Sequence, residues 1–171
     1  MERTRTLMAL GALLANAAGC VGEPYQGEPP PAKTERAAPP AAATDKPHFV
    51  PAAVDGDVDV LVRDAIAVAP SDASRVVVYV GASWCEPCRR FHEAVERGEL
   101  DAQLAGVRFL EFDADKHTKL LDAAGYGGQL IPRFAVPGAD GRGTDAKIEG
   151  GITGDGAVPQ IMRRLEKLLA T

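Results

Sequence analysis

The segment WCEPC, residues 84–88, constrains this chain most, because it places two cysteines three residues apart at a predicted strand-to-helix junction. An apolar run at 75–81 precedes the segment, and a helical pattern follows it. At the start of a helix, unpaired backbone N–H groups and the positive end of the helix dipole stabilise a thiolate. The spacing therefore predicts Cys85 as the nucleophile and Cys88, on the same helix face, as the shielded resolving thiol.

The two residues between the cysteines also bear on the chemistry. A carboxylate at Glu86 opposes the thiolate form of Cys85, so it favours a more reducing cysteine pair than a neutral or cationic residue would. The alternative is that Glu86 is merely solvated. Pro87 fits the first helical turn, where its missing N–H costs little and its fixed φ stiffens the loop.

A Cys-x-x-Cys pair alone would also suit half of a zinc site. Here Trp84 precedes the pair, and the dipeptide Ile131-Pro132 follows later in the chain. With these residues the chain resembles the thioredoxin superfamily over residues 48–171. The resemblance implies an α/β thioredoxin fold, with a central mixed sheet flanked by helices in the order βαβαβαββα. It also implies a thiol–disulfide oxidoreductase that needs no cofactor besides its own redox-active disulfide.

Further site residues follow from the resemblance. It implies that Pro132 forms a cis peptide bond facing the disulfide and that Ile131 pairs with the substrate through its backbone. Trp84 and Pro87 belong to the same implied site. Arg133 stands where thioredoxins commonly have Thr, which leaves the substrate preference open.

The resemblance also exposes a gap in the proton chemistry. Thioredoxins place a buried acid six residues before the first cysteine, as the proton acceptor for the resolving thiol. Tyr79 occupies that position here, and a phenol is not a base at neutral pH. Water, Glu86 or another group must take the proton from Cys88. His92 is interpreted as a solvated helix residue rather than a metal ligand, and no metal site is predicted.

Periodicity predicts the elements of the domain. The apolar run 76–80 is expected to form a central strand covered on both faces. Asp55 and Asp57 are candidate caps of the first helix. The active-site helix is expected to run to about Arg97, with a further turn through Leu104. The other predicted segments are a short strand at 48–50, a helix from 58, a strand at 107–112, a helix reaching Ala124, a hairpin with arms at 134–136 and 146–148, and a last helix at 158–169.

Residues 1–20 are typical of an export signal: two arginines, an apolar stretch too short to span a bilayer, and small residues before Cys20. The sequence Ala17-Ala18-Gly19-Cys20 resembles a bacterial lipobox, which implies that Cys20 is lipidated and anchors the chain to a membrane. An ordinary signal peptide cleaved near Ala18 is the alternative.

Residues 21–47 are rich in proline and alanine and contain a single aromatic residue, Tyr25. Such a segment cannot bury enough apolar surface to offset its ordering entropy, so a disordered, extended tether is predicted. The formal net charge of −5 offers no basic surface, which argues against nucleic acid as a partner.

Within the superfamily, the cysteine region and the residues around Phe112-Asp113 look most like the C-terminal domain of the thiol:disulfide interchange protein DsbD. The resulting prediction is a periplasm-facing lipoprotein of the bacterial envelope that reduces protein disulfides and is recharged by an unidentified electron-donor protein. The alternatives are a haem-thiol reductase of cytochrome c maturation and a non-catalytic lipoprotein whose bridge is structural or whose thiols bind metal.

Overall fold

The computed structural model describes residues 46–69 and 75–171. The predictions for the export signal, for Cys20 and for nearly all of the tether lie outside these residues. The elements follow the predicted order βαβαβαββα. They are β1 (His48–Pro51), α1 (Val58–Ala67), β2 (Arg75–Gly81), α2 (Glu86–Glu96), β3 (Val107–Asp113), α3 (Ala114–Ala123), β4 (Arg133–Pro137), β5 (Gly143–Glu149) and α4 (Ala157–Leu169).

The five strands form one mixed sheet in the order β1-β3-β2-β4-β5. Strands β1 and β2 run parallel to β3, whereas β4 is antiparallel to both β2 and β5. Strand β2 lies at the centre and is buried from Val76 to Gly81, as its apolar sequence predicted. This arrangement confirms the thioredoxin-like α/β fold.

The side chains of β2 alternate between two core layers, as the two-residue period of a strand requires. Val77 and Tyr79 pack with α2 and α4 on one face, while Val76, Val78 and Val80 pack with α1 and α3 on the other. The central strand is therefore covered on both faces, and its carboxyl end carries the chain directly to the cysteine segment.

Two local predictions need correction. Asp57 is the N-cap residue of α1, but its side chain makes no capping hydrogen bond. The segment after α2 does not continue the helix but forms separate turns, one of them closed by a hydrogen bond from the backbone N–H of Leu104 to the carbonyl of Leu100 at 3.0 Å, and both leucines are buried as expected. The reason is Gly98, whose φ of +74° places it in the left-handed region that ends helices.

Among the residues that the structure describes, none of the helices combines the length and the apolar character that crossing a membrane requires.

Candidate active site

Cys85 and Cys88 form a disulfide where the chain passes from β2 into α2. Cys85 is the N-cap residue, and its Sγ accepts a hydrogen bond from the backbone N–H of Cys88 at 3.3 Å. The backbone N–H of Cys85 donates to the carbonyl of Ala82 at 3.1 Å, which closes the turn between strand and helix. The disulfide therefore lies at the positive end of the α2 dipole, the place that the sequence predicted for it.

Both cysteines are buried in this oxidised state. Cys85 is 5% exposed and Cys88 2%, so the predicted contrast between an exposed and a shielded thiol is small. Both sulfur-bearing residues pack in the core layer between the sheet and helices α2 and α4. The assignment of Cys85 as nucleophile and Cys88 as resolving thiol stays a prediction that rests on their positions along the helix.

Glu86 lies in a chain of polar contacts at the start of α2. Its carboxylate accepts a hydrogen bond from Arg90, one helical turn further on, and another from the backbone N–H of Gly154 at 3.2 Å. Arg90 also contacts Asp155, at 3.1 Å. The hydrogen bond from Arg90 lowers the pKa of Glu86, so its carboxylate is charged at neutral pH but paired with a cation. The structure thus adds a compensating charge that the sequence prediction for Glu86 did not include.

Trp84 is an exposed large hydrophobic residue beside the disulfide, with 66% of its surface accessible. Its indole Nε1 donates to Oδ2 of Asp115 at 2.9 Å, which ties the ring to the start of α3. Trp84 also shares a shallow cavity of about 230 Å³ with Gln129 and Ile131. An apolar ring therefore lies at the surface next to the segment that precedes Pro132.

The Ile131–Pro132 peptide bond is cis, as predicted. The carbonyl of Pro132 accepts a hydrogen bond from the backbone N–H of Gly150 at 2.8 Å. The next residue, Gly151, lies against Pro87, since a Cβ at Gly151 would come within 3.1 Å of Cβ of Pro87. The segment that includes Pro132 thus adjoins the start of α2 through residues 150 and 151, while the pairing of Ile131 with a substrate stays a prediction.

Arg133 is a buried cation directly behind the cis bond, with only 7% of its side chain exposed. Its guanidinium donates to the carbonyl of Tyr126 at 2.8 Å and to that of Leu130 at 3.3 Å. Its Nε lies 3.4 Å from the carboxylate of Glu149, which also accepts from the backbone N–H groups of Gln129 and Leu130. The sequence left the effect of Arg133 open; in the structure it holds the loop before the cis bond in one shape.

Tyr79 is buried at the position where the resemblance expects an acid. Burial first, and the nearby carboxylate of Glu111 second, raise the pKa of its phenol, which therefore stays protonated at neutral pH. Tyr79 is the register partner of Glu111 across β2 and β3. The structure agrees with the sequence argument that Tyr79 is not the base.

His92 is not the solvated helix residue that the sequence suggested. Its Nε2 lies 2.7 Å from Oε1 of Glu111, and its ring stacks on Phe49 with centroids 3.5 Å apart. Sequence reasoning missed Glu111 altogether. The spacing of four residues between Cys88 and His92 already put them on one helix face, but the contact with Glu111 depends on the register between strands.

Within residues 46–69 and 75–171, no three His, Cys, Asp or Glu side chains are grouped as a metal site would need. The described arrangement instead offers two sulfurs that interconvert between a disulfide and a dithiol by exchange with another disulfide. Trp84 directly precedes Cys85, and the cis proline segment adjoins the start of α2 through residues 150 and 151, while the expectation that Pro132 faces the disulfide stays a prediction. Such a set of groups suits exchange with a polypeptide partner.

No family model matches this sequence, and no curated protein does either. Solved structures of thioredoxins are similar to it. A mutant thioredoxin from Halobacterium salinarum is 24% identical, covers 74% of this chain and 90% of its own, and gives a TM-score of 0.43. The thioredoxin of Trichomonas vaginalis is 21% identical over 75% of this chain and 98% of its own, with a TM-score of 0.45.

The oxidised thioredoxin of Plasmodium falciparum is 20% identical over 69% of this chain and 96% of its own, with a TM-score of 0.42. Likeness at these identities and scores carries no argument about activity. The fold of this chain rests on its own strand order and register, which are those of a thioredoxin-like α/β domain.

Proposed function

We propose that this protein is a thiol–disulfide oxidoreductase of the bacterial cell envelope that reduces disulfides in other proteins. The observation that carries the proposal is the Cys85–Cys88 disulfide at the start of α2. In the reduced protein, the thiolate of Cys85 attacks a substrate disulfide and forms a mixed disulfide, and one substrate sulfur leaves as a thiolate. Cys88 then attacks Cys85, which releases the second substrate thiol and restores the internal disulfide.

The reductive direction is argued from solvation and charge. Both sulfurs are buried, and removal from water disfavours a charged thiolate. The residues between the cysteines, Glu86 and Pro87, supply no cation to offset that loss. A pair whose thiolate is stabilised by the helix start alone, without a cation between the cysteines, gives up its electrons more readily than a pair that has such a cation. The proposed direction is therefore reduction of the partner.

A protein substrate is favoured by the apolar surface near the site. Trp84, Leu130 and Ile152 are each more than half exposed, although they are large hydrophobic residues. A Cβ at Gly150 would come within 3.0 Å of Leu130, so residues 150–152 run next to the loop before the cis bond. Apolar side chains grouped in this way suit contact with a polypeptide.

The location and the donor are proposed from the sequence. The lipobox-like Gly19-Cys20 and the proline-rich segment after it support a lipid-anchored protein held on a tether. The resemblance to the C-terminal domain of DsbD supports a role as a general thiol reductase that an electron-donor protein recharges. Mass spectrometry of the mature N-terminus should find a lipidated Cys20; an unmodified peptide that begins elsewhere would remove the anchor from the proposal.

The reduction potential is the test of the activity. The protein is equilibrated with dithiothreitol buffers of graded composition, and the reduced fraction is measured by thiol alkylation. We expect a value near that of thioredoxin, about −270 mV, rather than near that of the oxidant DsbA, about −120 mV. A value close to the oxidant would reverse the proposed direction. A Cys85→Ser, Cys88→Ser double variant is the control for nonspecific alkylation.

A further inference from the structure

A cavity of about 570 Å³ opens beside Cys88, on the side of α2 that faces the sheet. Cys88 and His92 line it from α2, while Tyr79 and Glu111 line it from the two central parallel strands. A space of this size admits several water molecules, and its polar lining offers them partners. The thiol of Cys88 must lose a proton before it can attack, and this cavity is where it adjoins titratable groups.

His92 and Glu111 form a pair inside this cavity. The distance from His92 Nε2 to Glu111 Oε1 is 2.7 Å, and about a quarter of each side chain is exposed. With the carboxylate accepting from Nε2–H, the lone pair of the neutral imidazole lies on Nδ1. Stacking on Phe49 fixes the plane of the ring. His92 is thus arranged as an oriented base, because the carboxylate of Glu111 holds its imidazole in one tautomer.

The other acids that line the cavity are already engaged. Tyr79 is held protonated by its burial. Asp113 caps α3 and pairs with Lys116 at 3.1 Å; although burial opposes its charge, these contacts lower its pKa and make it a weak base. Glu93 lies 3.5 Å from Arg97.

The remaining charged groups around His92 do not fill the role either. His117 lines the cavity, but its Nε2 faces the carbonyl of Ala53 at 3.3 Å and its Nδ1 faces the backbone of Asp113. Arg89 is a cation and accepts no proton. Lys46, His48, Glu96 and Asp101 line a separate depression on the other side of His92, away from Cys88.

We propose that His92 accepts the proton of Cys88 through water in this cavity, and that Glu111 is the positioning residue that orients the imidazole. The inference deepens the proposed function and rests on it. When Cys88 resolves the mixed disulfide, its S–H proton moves to His92 and its electron pair forms the bond to Cys85. The bond between Cys85 and the substrate breaks, and its electron pair leaves on the substrate sulfur. The imidazolium then returns the proton to solvent or to the departing thiolate.

The two chemical steps can be separated with dithiobis-nitrobenzoate, a disulfide that releases a coloured thiolate at each step. Mixed with reduced protein in a stopped-flow instrument, it gives a first phase that depends on its concentration, the attack by Cys85. The second phase is unimolecular and reports the attack by Cys88. Both phases are recorded from pH 5 to 10 for the wild type, His92→Gln and Glu111→Gln. Glu93→Gln, which removes a carboxylate from the same cavity, is the matched control.

We expect His92→Gln to slow the second phase about 100-fold at neutral pH, the usual scale for a general base, with the first phase unchanged. The two proteins should converge at the alkaline end of this range, where hydroxide can take the proton of the thiol in both. Glu111→Gln should slow the second phase less than His92→Gln does, and Glu93→Gln should match the wild type. In His92→Ala, added imidazole should restore the rate, which purely structural damage would not allow.

A second phase that is unchanged in both His92→Gln and Glu111→Gln would overturn the inference and leave the proposed function standing. Equal slowing at every pH, without rescue by imidazole, would also overturn it, since that is the mark of a packing defect. If the wild type released only one coloured thiolate, the dithiol mechanism would fail, and the inference would fail with it.

Discussion

Two carboxylates lie near the cysteine pair, and they differ in sequence position and in partner, although 29% of the one side chain and 28% of the other are exposed. Glu86 follows Cys85 in sequence, and its carboxylate is paired with Arg90 and with the backbone N–H of Gly154. Glu111 is distant in sequence, comes from the sheet, and faces the cavity beside Cys88 with His92 as its partner. Proximity to a thiol in sequence is therefore a poor guide to electrostatic influence when the carboxylate, like Glu86, is already paired with its own cation.

The largest expected effect separates the roles of the two thiols on which this comparison depends. Cys88→Ser should lower multiple turnover by about 1,000-fold or more while Cys85 still reacts, because no thiol remains to resolve the mixed disulfide. The measurement is the accumulation of mixed disulfides on non-reducing gels. Cys85→Ser is the matched control and should accumulate none. The opposite pattern would make Cys88 the nucleophile and Cys85 the resolving thiol, so the cavity beside Cys88 would have no part in the resolving step.

A third carboxylate, Glu149, sharpens the comparison because its cation, Arg133, is buried. Arg133→Met should lower the free energy of unfolding by about 2–4 kcal/mol, since it removes the side-chain donor of two backbone carbonyls and the cation that is paired with a carboxylate. Arg142→Met, which removes an exposed arginine bonded to a single carbonyl, should cost less than about 1 kcal/mol. Urea denaturation measures both, and equal costs would contradict the argument from burial.

The same pair predicts a pH dependence. Burial opposes the charge of Glu149, but backbone hydrogen bonds and Arg133 outweigh it and lower the pKa below the ordinary value of 4.5. A carboxyl group with a lowered folded-state pKa stabilises the protein above its unfolded-state pKa and loses that contribution as the pH falls. The difference between wild type and Arg133→Met should therefore be full at neutral pH and shrink below about pH 4.5.

Alanine substitutions at two glycines test the packing on the two sides of the cysteine pair. A Cβ at Gly81 would lie 2.5 Å from the hydroxyl of buried Tyr79, so Gly81→Ala should cost about 1–3 kcal/mol and disturb the cavity. Gly154 has a φ of +79° and open space around it. Gly154→Ala should therefore lower the free energy of unfolding by about 1 kcal/mol and should have no effect on the resolving step. Denaturation and the second coloured phase measure the two effects. A slowed second phase in Gly154→Ala would contradict the separation of the two sides.

The smallest expected effect tests Glu86. Because Arg90 already compensates its charge, Glu86→Gln should shift the reduction potential by less than about 10 mV. A shift of about 30 mV or more would restore the direct electrostatic role that the sequence suggested. The lowered pKa of Glu86 means that its own contribution to stability is present at neutral pH and fades on acidification, so the two proteins should become equally stable in acid.

The fold and the site could be predicted from the sequence where they depend on residues close together in the chain. The cysteine spacing, the buried run of β2 and the apolar faces of the helices predicted the order of elements, and the motif pair predicted the cis bond before Pro132. Contacts between segments far apart in the chain could not be predicted in this way. Glu111 contacts His92 only because of the register between parallel strands, which the sequence does not show. The buried hydrogen bonds of Arg133 to backbone carbonyls could not be predicted from hydrophobic periodicity either. The end of α2 near Arg97 was predicted, but the helix does not continue beyond Gly98 as the apolar pattern suggested, because the conformation of Gly98 outweighs that pattern.

Trp84 has a consequence for how this chemistry can be observed. It is the only tryptophan in the chain, and it is adjacent to Cys85. A disulfide near an excited indole accepts an electron from it and quenches its emission, whereas a dithiol quenches far less. The bond from the indole to Asp115 holds the ring in place. Reduction of the Cys85–Cys88 disulfide should therefore raise the emission of Trp84, and this rise would follow turnover in real time without a label.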